Sequence, residues 1–200
     1  MVKTTAMLLQ EYTSYVNPSA KIARMVKSGK IIPIVKGIYE TDASLPGHYF
    51  AGIIYGPSYL SFEFALAWHE LIPEAVYIFT SATCGKKKKK RYETPFGTFT
   101  FRDVPVAVFP YGIQLYEEKG YGFAIASPQK AICDILYTCS PCNNKAELRR
   151  LLFADLRIDE SAFRDINLDE MADLATLYRT TNHRLLISIL KEMKRHEQRH

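Results

Sequence analysis

The chain lacks several features that whole functional classes require. None of its apolar runs approaches the roughly 20 residues that a membrane-spanning helix needs. No apolar signal-peptide core follows Met1-Val2-Lys3, so we expect a cytoplasmic protein. Paired carboxylates, a nucleophile elbow and a His/Cys ligand set are also missing from the sequence. We therefore expect no catalysis, no metal ion and no cofactor.

Cysteine is scarce, with 4 among 200 residues. Cys139 and Cys142 have the CxxC spacing of metal ligands, but a zinc site would need a second pair of Cys or His ligands. Cys133 falls on the apolar face of a predicted helix. Reduced, packed thiols are therefore the simpler interpretation for a cytosolic protein.

The overall composition is typical of a globular protein, with 48% hydrophobic and 24% charged residues. The 26 Lys and Arg residues exceed the 21 Asp and Glu residues by 5, which suits a polyanionic partner. In residues 1–42 six cations and three carboxylates leave a balance of +3. Charge alone does not identify the partner, so the argument depends on where the cations lie.

The most informative stretch is residues 19–41, where a basic helix precedes a glycine and a short hairpin. Its cations recur every three residues, so they share one broad face of a helix with about 3.6 residues per turn. Apolar residues spaced i, i+3 and i+4 face elsewhere, toward a core. Gly29 stands where a helix C-cap glycine belongs. The cations are Lys21, Arg24, Lys27 and Lys30, and the apolar residues are Ile22, Met25 and Val26.

The residues after Gly29 predict a hairpin, because β-branched residues flank the turn signal Lys36-Gly37. A helix followed by a β-wing is the layout of a winged helix-turn-helix and indicates DNA binding. A solvated basic face, with Ser19 serving only as a helix cap, is the alternative. The predicted DNA contacts are Ser19, Lys21, Arg24, Lys27, Lys30 and Lys36.

A complete helix-turn-helix also needs supporting helices before the recognition helix. Thr4 or Thr5 can cap one such helix, and Asn17-Pro18-Ser19 ends it and caps the next. The 17 residues before Pro18 leave room for one helix only. We therefore expect a winged helix that is truncated or that borrows packing from the rest of the chain.

The polar segment Asp42 to Gly47 is the predicted domain boundary. It divides the chain into a winged-helix module, residues 1–44, and a second domain, residues 45–200. The predicted fold is α/β (α+β), with a small N-terminal winged-helix module followed by a mixed-sheet domain and C-terminal helices.

Within the second domain, periodicity and turn residues predict the order of helices and strands. Ser127-Pro128 opens one helix with a cap and a proline at its first position. Asn167 and Asn182 are the predicted caps of two later helices. The remaining predictions are a helix over 59–71, a strand over 76–80, a hairpin over 92–101, strands over 104–109, 113–116 and 121–126, and helices from 144 onward.

Three segments of the second domain resemble the AbiEi-like antitoxin family. Ser58 to Thr83 (SYLSFEFALAWHELIPEAVYIFTSAT) resembles its central signature: a Ser-rich start, an apolar helix with a Trp-His pair, and a strand ending in Thr. Tyr92 to Arg102 resembles its next hairpin, and Ala126 to Tyr137 its following helix. The Lys-Ser-Gly-Lys and Lys-Gly-Ile-Tyr steps resemble its winged-helix module. The resemblance covers about residues 1–140.

This resemblance implies the antitoxin of a type IV toxin–antitoxin system, a group also described as transcriptional regulators of phage defence. The winged helix of such a protein would bind operator DNA and autoregulate its operon. The second domain would oppose a nucleotidyltransferase-like toxin without forming a stable complex. The implied partners are thus operator DNA and a toxin, with no membrane and no catalysis.

Residues 86–91 form a block of six consecutive cations, which we call the lysine run. Such a block repels itself and stays extended in a loop. The lysine run is a candidate second polyanion contact, to DNA or to an RNA substrate of the toxin, and a flexible hairpin loop is the alternative. Its members are Lys86, Lys87, Lys88, Lys89, Lys90 and Arg91.

Two other functions stay open from the sequence. One is a protein-interaction module whose degenerate winged helix packs internally. The other is an enzyme acting on nucleic acid, which requires a cleft that joins His69 and Asp134 to the lysine run. For these two residues we prefer structural roles: a partly buried hydrogen-bonding His69 beside a core Trp68, and a buried Asp134 that bonds neighbouring backbone.

Overall fold

The computed structural model describes residues 1–197. Its N-terminal part is a helix pair and a three-stranded antiparallel sheet, in the strand order β1-β3-β2. One helix precedes the basic helix, as expected from the 17 residues before Pro18. The elements are β1 (Lys3–Thr4), α1 (Thr5–Glu11), α2 (Pro18–Lys27), β2 (Ile32–Val35) and β3 (Ile38–Glu40).

A six-stranded mixed sheet follows, in the order β6-β7-β5-β4-β9-β8. Its two hairpins, β6–β7 and β8–β9, are antiparallel, whereas β5 runs parallel to β7 and β4 parallel to β9. Its elements are a 3₁₀ turn (Gly47–Phe50), α3 (Ala51–Ile54), β4 (Tyr59–Leu60), α4 (Phe62–Trp68), β5 (Ile78–Cys84), β6 (Lys90–Thr94), β7 (Gly97–Val104), β8 (Ile113–Glu118) and β9 (Tyr121–Ala126).

Helices follow the sheet as far as Glu197, so the predicted α/β fold with C-terminal helices is confirmed. Ser127 accepts a hydrogen bond from the Lys130 amide at 3.2 Å and Pro128 begins α5, as the Ser-Pro signal predicts. None of the helices in residues 1–197 combines the length and the apolar character needed to cross a bilayer. The helices are α5 (Pro128–Thr138), α6 (Lys145–Arg150), a π-helical turn (Leu151–Asp155), α7 (Glu160–Asp165), α8 (Leu168–Tyr178) and α9 (Thr181–Glu197).

The N-terminal hairpin lies between two hydrophobic clusters. A small cluster, built on Leu8, Ile22 and Ile31, includes Tyr39 of β3. The neighbouring Ile38 packs against the main core instead, because successive residues of a strand point to opposite faces. The hairpin is therefore held by its own two helices on one face and by the rest of the chain on the other.

The helix predicted over 59–71 is wrong at both ends. Tyr59 and Leu60 form β4 and pair with β5, and the helix runs only from Phe62 to Trp68. A continuous apolar stretch suits a buried strand as well as a buried helix, so periodicity alone does not locate the change between them.

Two predicted strands also differ from the observed ones. The strand predicted over 76–80 is β5, which begins at Ile78 and continues to Cys84. The strand predicted over 104–109 does not form, because β7 ends at Val104 and the chain then turns. The Val108 amide donates to the Pro105 carbonyl at 3.0 Å in that turn.

Of the two asparagine caps predicted in the second domain, one is confirmed and one is wrong. Asn167 accepts hydrogen bonds from the amides of Asp169 and Glu170, each at 3.1 Å, and caps α8. Asn182 lies inside α9 and is buried. Its amide group donates to the Leu136 carbonyl of α5 at 3.2 Å. This hydrogen bond satisfies a buried polar side chain and joins α9 to α5.

Candidate nucleic-acid interface

Residues at both ends of α2 set its limits. Asn17 accepts a hydrogen bond from the Ala20 amide at 3.0 Å, and Pro18 begins the helix, where its missing N–H costs nothing. Gly29 has a φ of +71°, the left-handed conformation that favours glycine and stops a helix. The cap is thus Asn17, while Ser19 is an exposed residue of the first turn.

The cations of α2 form an exposed face. Arg24, Lys27 and Lys30 are exposed, whereas Ile22 of the same helix is buried. Lys21 is half-buried, with its Nζ 4.7 Å from the ring centre of Tyr15. Within residues 1–195 no carboxylate forms an ion pair with these four cations. The face therefore carries uncompensated positive charge, the condition for binding phosphates.

The tip of the β2–β3 hairpin presents Lys36, which is exposed. Gly37 beside it has a φ of +85°, which the tight turn requires. The Gly37 carbonyl accepts hydrogen bonds from the amide and the hydroxyl of Thr5, at 2.9 and 3.3 Å. The tip is therefore fixed to the start of α1.

Glu40 joins the end of this hairpin to the main sheet. Its side chain is fully buried and accepts hydrogen bonds from the Tyr121 hydroxyl at 2.7 Å, the Thr41 amide at 2.7 Å and the Met1 ammonium at 2.5 Å. Burial alone would raise the pKa of this carboxyl, but its hydrogen bonds outweigh burial and lower the pKa below the ordinary 4.5. Glu40 is therefore a carboxylate that fixes the N-terminal sheet against β9.

The lysine run spans a turn and a strand, so the prediction that all six cations lie in a loop is wrong. Lys90 and Arg91 belong to β6 and pair with Phe101 and Thr100 of β7. Their side chains stay exposed. Because β6 is an edge strand, backbone pairing on one side accommodates the cations, and exposed cations at an edge oppose further strand addition.

The turn before β6 is anchored at its start. Asp103 accepts hydrogen bonds from the Lys87 amide at 2.5 Å and from the Thr83 hydroxyl at 2.6 Å. Lys86 donates to the Gly56 carbonyl at 3.1 Å. Lys88 and Lys89 are exposed, and no carboxylate of residues 1–195 pairs with them.

A groove of about 810 Å³ opens beside the lysine run. Its cationic lining residues come from β6, from the residue before β6 and from β7, and an apolar segment that leads into β5 lines it as well. Tyr77 of that segment is 86% exposed. The groove residues are Glu63, Ala75, Val76, Tyr77, Ile78, Thr80, Lys89, Lys90, Arg91, Thr100, Phe101 and Arg102.

Asp134 is the centre of a buried polar network. It accepts hydrogen bonds from the hydroxyls of Tyr59 at 2.9 Å, Ser61 at 2.7 Å and Tyr178 at 2.6 Å. Its Oδ1 lies 3.1 Å from Nζ of Lys130, and both of these charged side chains are fully buried. The buried polar anchor is confirmed, but its partners are side chains and not neighbouring backbone. The network ties β4, α5 and α8 together.

The environment of this network fixes its protonation. Burial raises the pKa of the Tyr59 and Tyr178 phenols, which therefore stay protonated as donors. Burial also lowers the pKa of Lys130, while the nearby Asp134 opposes that shift. Lys130 in addition donates to the Val108 carbonyl at 3.0 Å.

His183 packs against the same network. Its ring stacks on Tyr178 with centroids 4.2 Å apart, and its Nε2 lies 2.9 Å from the Cys133 carbonyl. Because a carbonyl only accepts, Nε2 carries the proton and Nδ1 accepts from the Thr180 hydroxyl at 2.7 Å. Burial lowers the pKa of His183 to about 4. His183 is thus a neutral structural side chain near pH 7.

His69 is the partly buried hydrogen-bonding residue that the sequence predicts. Its Nε2 lies 2.8 Å from the Ala126 carbonyl, and burial lowers its pKa. Neither His69 nor Asp134 lines the groove beside the lysine run. The structure therefore does not bring these two residues into that groove, the arrangement that the nucleic-acid enzyme hypothesis requires.

Comparison with known proteins identifies no family for this chain. No protein-family model matches it, and no curated protein matches it either. Among solved structures it is similar to "Crystal structure of RV2827C protein from Mycobacterium tuberculosis", at a TM-score of 0.58 and 13% sequence identity. The match covers 94% of this chain and 71% of that chain. The likeness shows the fold alone.

Sequence reasoning missed the Lys130–Asp134 pair, although a signal for it exists. Opposite charges spaced i and i+4 on an otherwise apolar helix lie next to each other on one side of it. When that side is buried, each charge needs the other to compensate the loss of water. It also missed Tyr77 and Glu40. An aromatic residue at a strand start and a glutamate at a strand end carry no pattern that separates these sites from ordinary positions.

Proposed function

We propose that the N-terminal part is a winged helix that binds operator DNA through α2 and the hairpin tip. The observation that carries this proposal is the exposed face of Arg24, Lys27 and Lys30, which no carboxylate of residues 1–195 neutralises. In this arrangement α2 lies in the major groove, as recognition helices do. Cations of α2 and Lys36 then contact phosphates, and Ser19 adds a neutral hydrogen bond.

The resemblance to AbiEi-like antitoxins gives the proposal its biological setting. The protein represses the operon that encodes it and its toxin, and its second domain opposes a nucleotidyltransferase-like toxin without catalysis and without a stable complex. Packing supports the first half of this proposal, because the hairpin is braced on both faces. A braced hairpin holds α2 and Lys36 in one fixed geometry, which reduces the entropy lost on binding DNA.

The protein-interaction module is the less favoured function. It requires a degenerate helix pair that packs internally. The small cluster of Leu8, Ile22 and Ile31 is buried, and the cations of α2 lie outside it. This arrangement favours binding through the basic face over internal packing of that face.

A promoter–reporter experiment tests the repressor half. DNA from upstream of the gene drives a reporter, and the wild-type chain is expected to repress it. Arg24→Ala/Lys27→Ala is expected to lose repression. The matched control is Arg184→Ala/Lys191→Ala, which also removes one arginine and one lysine from exposed positions of a helix. Wild-type-like repression by the α2 variant would contradict DNA binding through this face.

Growth rescue tests the antitoxin half separately. The product of the neighbouring gene is expressed with the wild-type chain or with Arg24→Ala/Lys27→Ala. We expect both to restore growth, because antitoxicity is assigned to the second domain. Failure of the wild-type chain to restore growth would contradict the antitoxin assignment.

A further inference from the structure

The groove beside the lysine run combines cations with an exposed aromatic ring. Lys89, Lys90, Arg91 and Arg102 line it against a single lining carboxylate, Glu63. Two of these cations are already paired: Arg102 with Glu63, and Arg91 with Glu93 outside the lining. Lys89 and Lys90 have no carboxylate partner within residues 1–195. Lys90 pairs with the buried Phe101, so its side chain points to the opposite face of β6 from Arg91. The cations available on the groove's face are therefore Lys89 and Arg91, because the pair of Arg91 with Glu93 is exposed and weak.

The register of the sheet explains why the groove is open at this point. Arg91 pairs with Thr100, and Thr100 pairs with Thr80, so these three residues form a row across β6, β7 and β5. The Thr80 hydroxyl accepts a hydrogen bond from the Phe64 amide, in the first turn of α4, at 3.0 Å. α4 therefore covers the sheet at Thr80, and the row is open toward the edge strand β6.

Tyr77 is unusual among the aromatic residues near this sheet. Phe99 and Phe101 are fully buried, whereas Tyr77 is 86% exposed beside the groove. No burial is gained by an aromatic ring in that position, and its face is free to stack on a planar ligand. Planar rings and phosphates occur together in a polynucleotide.

We propose that this groove binds single-stranded nucleic acid, with phosphates against Lys89 and Arg91 and a base stacked on Tyr77. A cationic groove that follows the backbone and an aromatic platform for bases are the two parts of sequence-tolerant single-strand sites. A duplex satisfies the charges but keeps its bases stacked inside, out of reach of Tyr77. The proposal uses residues separate from α2 and does not rest on operator binding.

Fluorescence anisotropy of the full chain with a labelled oligouridylate tests the stacking half. We expect the Arg24→Ala/Lys27→Ala variant, which lacks the α2 contacts proposed for duplex DNA, to bind it more tightly than a duplex with the same number of phosphates. Tyr77→Ala is expected to weaken binding about tenfold or more, the effect of losing one stacked base, and Tyr77→Phe is expected to retain it. Tyr111→Ala, at a tyrosine that is 53% exposed and outside the groove lining, is the matched control.

The charge half is tested by salt titration of the same complex. Lys89→Ala/Arg91→Ala should lower the slope of log K against log salt by about 1.4, since each single-strand phosphate contact contributes about 0.7. Arg184→Ala/Lys191→Ala should leave the slope unchanged. An oligodeoxyuridylate probe, which keeps the base and changes only the sugar, then assigns the sugar: equal binding extends the site to DNA strands, and weaker binding restricts it to RNA.

Three results would overturn the proposal. These are a preference of the Arg24→Ala/Lys27→Ala variant for duplex over single strand, wild-type binding by Tyr77→Ala, and equally tight binding of a polyglutamate peptide, which matches the charge but has no bases. Operator-duplex binding by Tyr77→Ala is measured in parallel and is expected to equal that of the wild type. Its loss would overturn the assignment of two separate sites.

Discussion

The Tyr121 hydroxyl donates a hydrogen bond to Glu40 at 2.7 Å, and this contact joins the N-terminal hairpin to β9 of the main sheet. The Glu40 side chain is fully buried. A buried carboxylate is stable only while its donors remain in place. The position of the basic face relative to the second domain therefore depends on the hydrogen bonds around Glu40 as well as on the packing of the hairpin against the main core.

Removal of the Tyr121 hydroxyl should destabilise the protein. Tyr121→Phe keeps the ring but takes one donor from the buried Glu40 carboxylate, and hydrogen bonds to charged groups contribute about 1.5–3 kcal/mol. We expect a loss of that size in the free energy of unfolding, measured by urea denaturation. Tyr116→Phe is the control, because its hydroxyl bonds an exposed Gln114. Equal stability of both variants would contradict the role given to Glu40.

Lys130→Met should be strongly destabilising, because it leaves Asp134 charged and buried without its cation. Breaking a buried ion pair typically costs about 3–5 kcal/mol. Lys130→Met/Asp134→Leu should lose less than the sum of its two single variants, since the double variant leaves no lone charge. A double-mutant cycle by chemical denaturation measures this coupling. Strict additivity would contradict the pairing, and Lys145→Met, at a half-exposed lysine of α6 that pairs with Glu192, should have a much smaller effect.

His183 should make stability depend on pH. Its folded pKa of about 4 lies below the ordinary 6.5, so between these values the unfolded chain binds a proton that the folded chain does not. The contribution of His183 to the free energy of unfolding is then fully present above pH 6.5. It is lost as the pH drops toward 4, by up to about 1.4 kcal/mol per pH unit. His183→Gln should reduce this slope without removing it, because burial also lowers the pKa of His48 and His69.

Urea denaturation at several pH values between 4 and 7 gives the slope for His183, and NMR titration of its ring protons gives the folded pKa. His183→Gln is informative because its amide can still donate to the Cys133 carbonyl. A ring that titrates near 6.5 in the folded protein would contradict the buried, neutral His183.

Local signals allowed the sequence to predict α2 and its hairpin. The effects of Asn17, Pro18 and Gly29 on the backbone are local, reaching only a few residues. The cap, the first residue and the end of α2 can therefore be predicted without knowledge of tertiary contacts. The same holds for Ser127-Pro128 at the start of α5. The exposure of the cations on α2 also follows from periodicity, because Ile22 takes the inward face.

Three other parts of the fold could not be predicted because they depend on distant partners. Tyr59 and Leu60 form a strand because β5 and β9 lie on either side of them. Asn182 is drawn into the core by carbonyls of α5 and the loop after it, rather than serving as a cap. Lys90 and Arg91 join β6 because β7 offers pairing partners. Propensity gives way to tertiary contact in all three cases.

Salt-dependent binding of the full chain to the operator duplex upstream of its gene tests the central claim most directly. The affinity of the wild type should fall steeply with salt, and Arg24→Ala/Lys27→Ala should bind more weakly with a slope lower by about 1.8, since each duplex phosphate contact contributes about 0.9. Arg184→Ala/Lys191→Ala should match the wild type. Wild-type affinity and slope in the α2 variant would contradict DNA binding through the basic face.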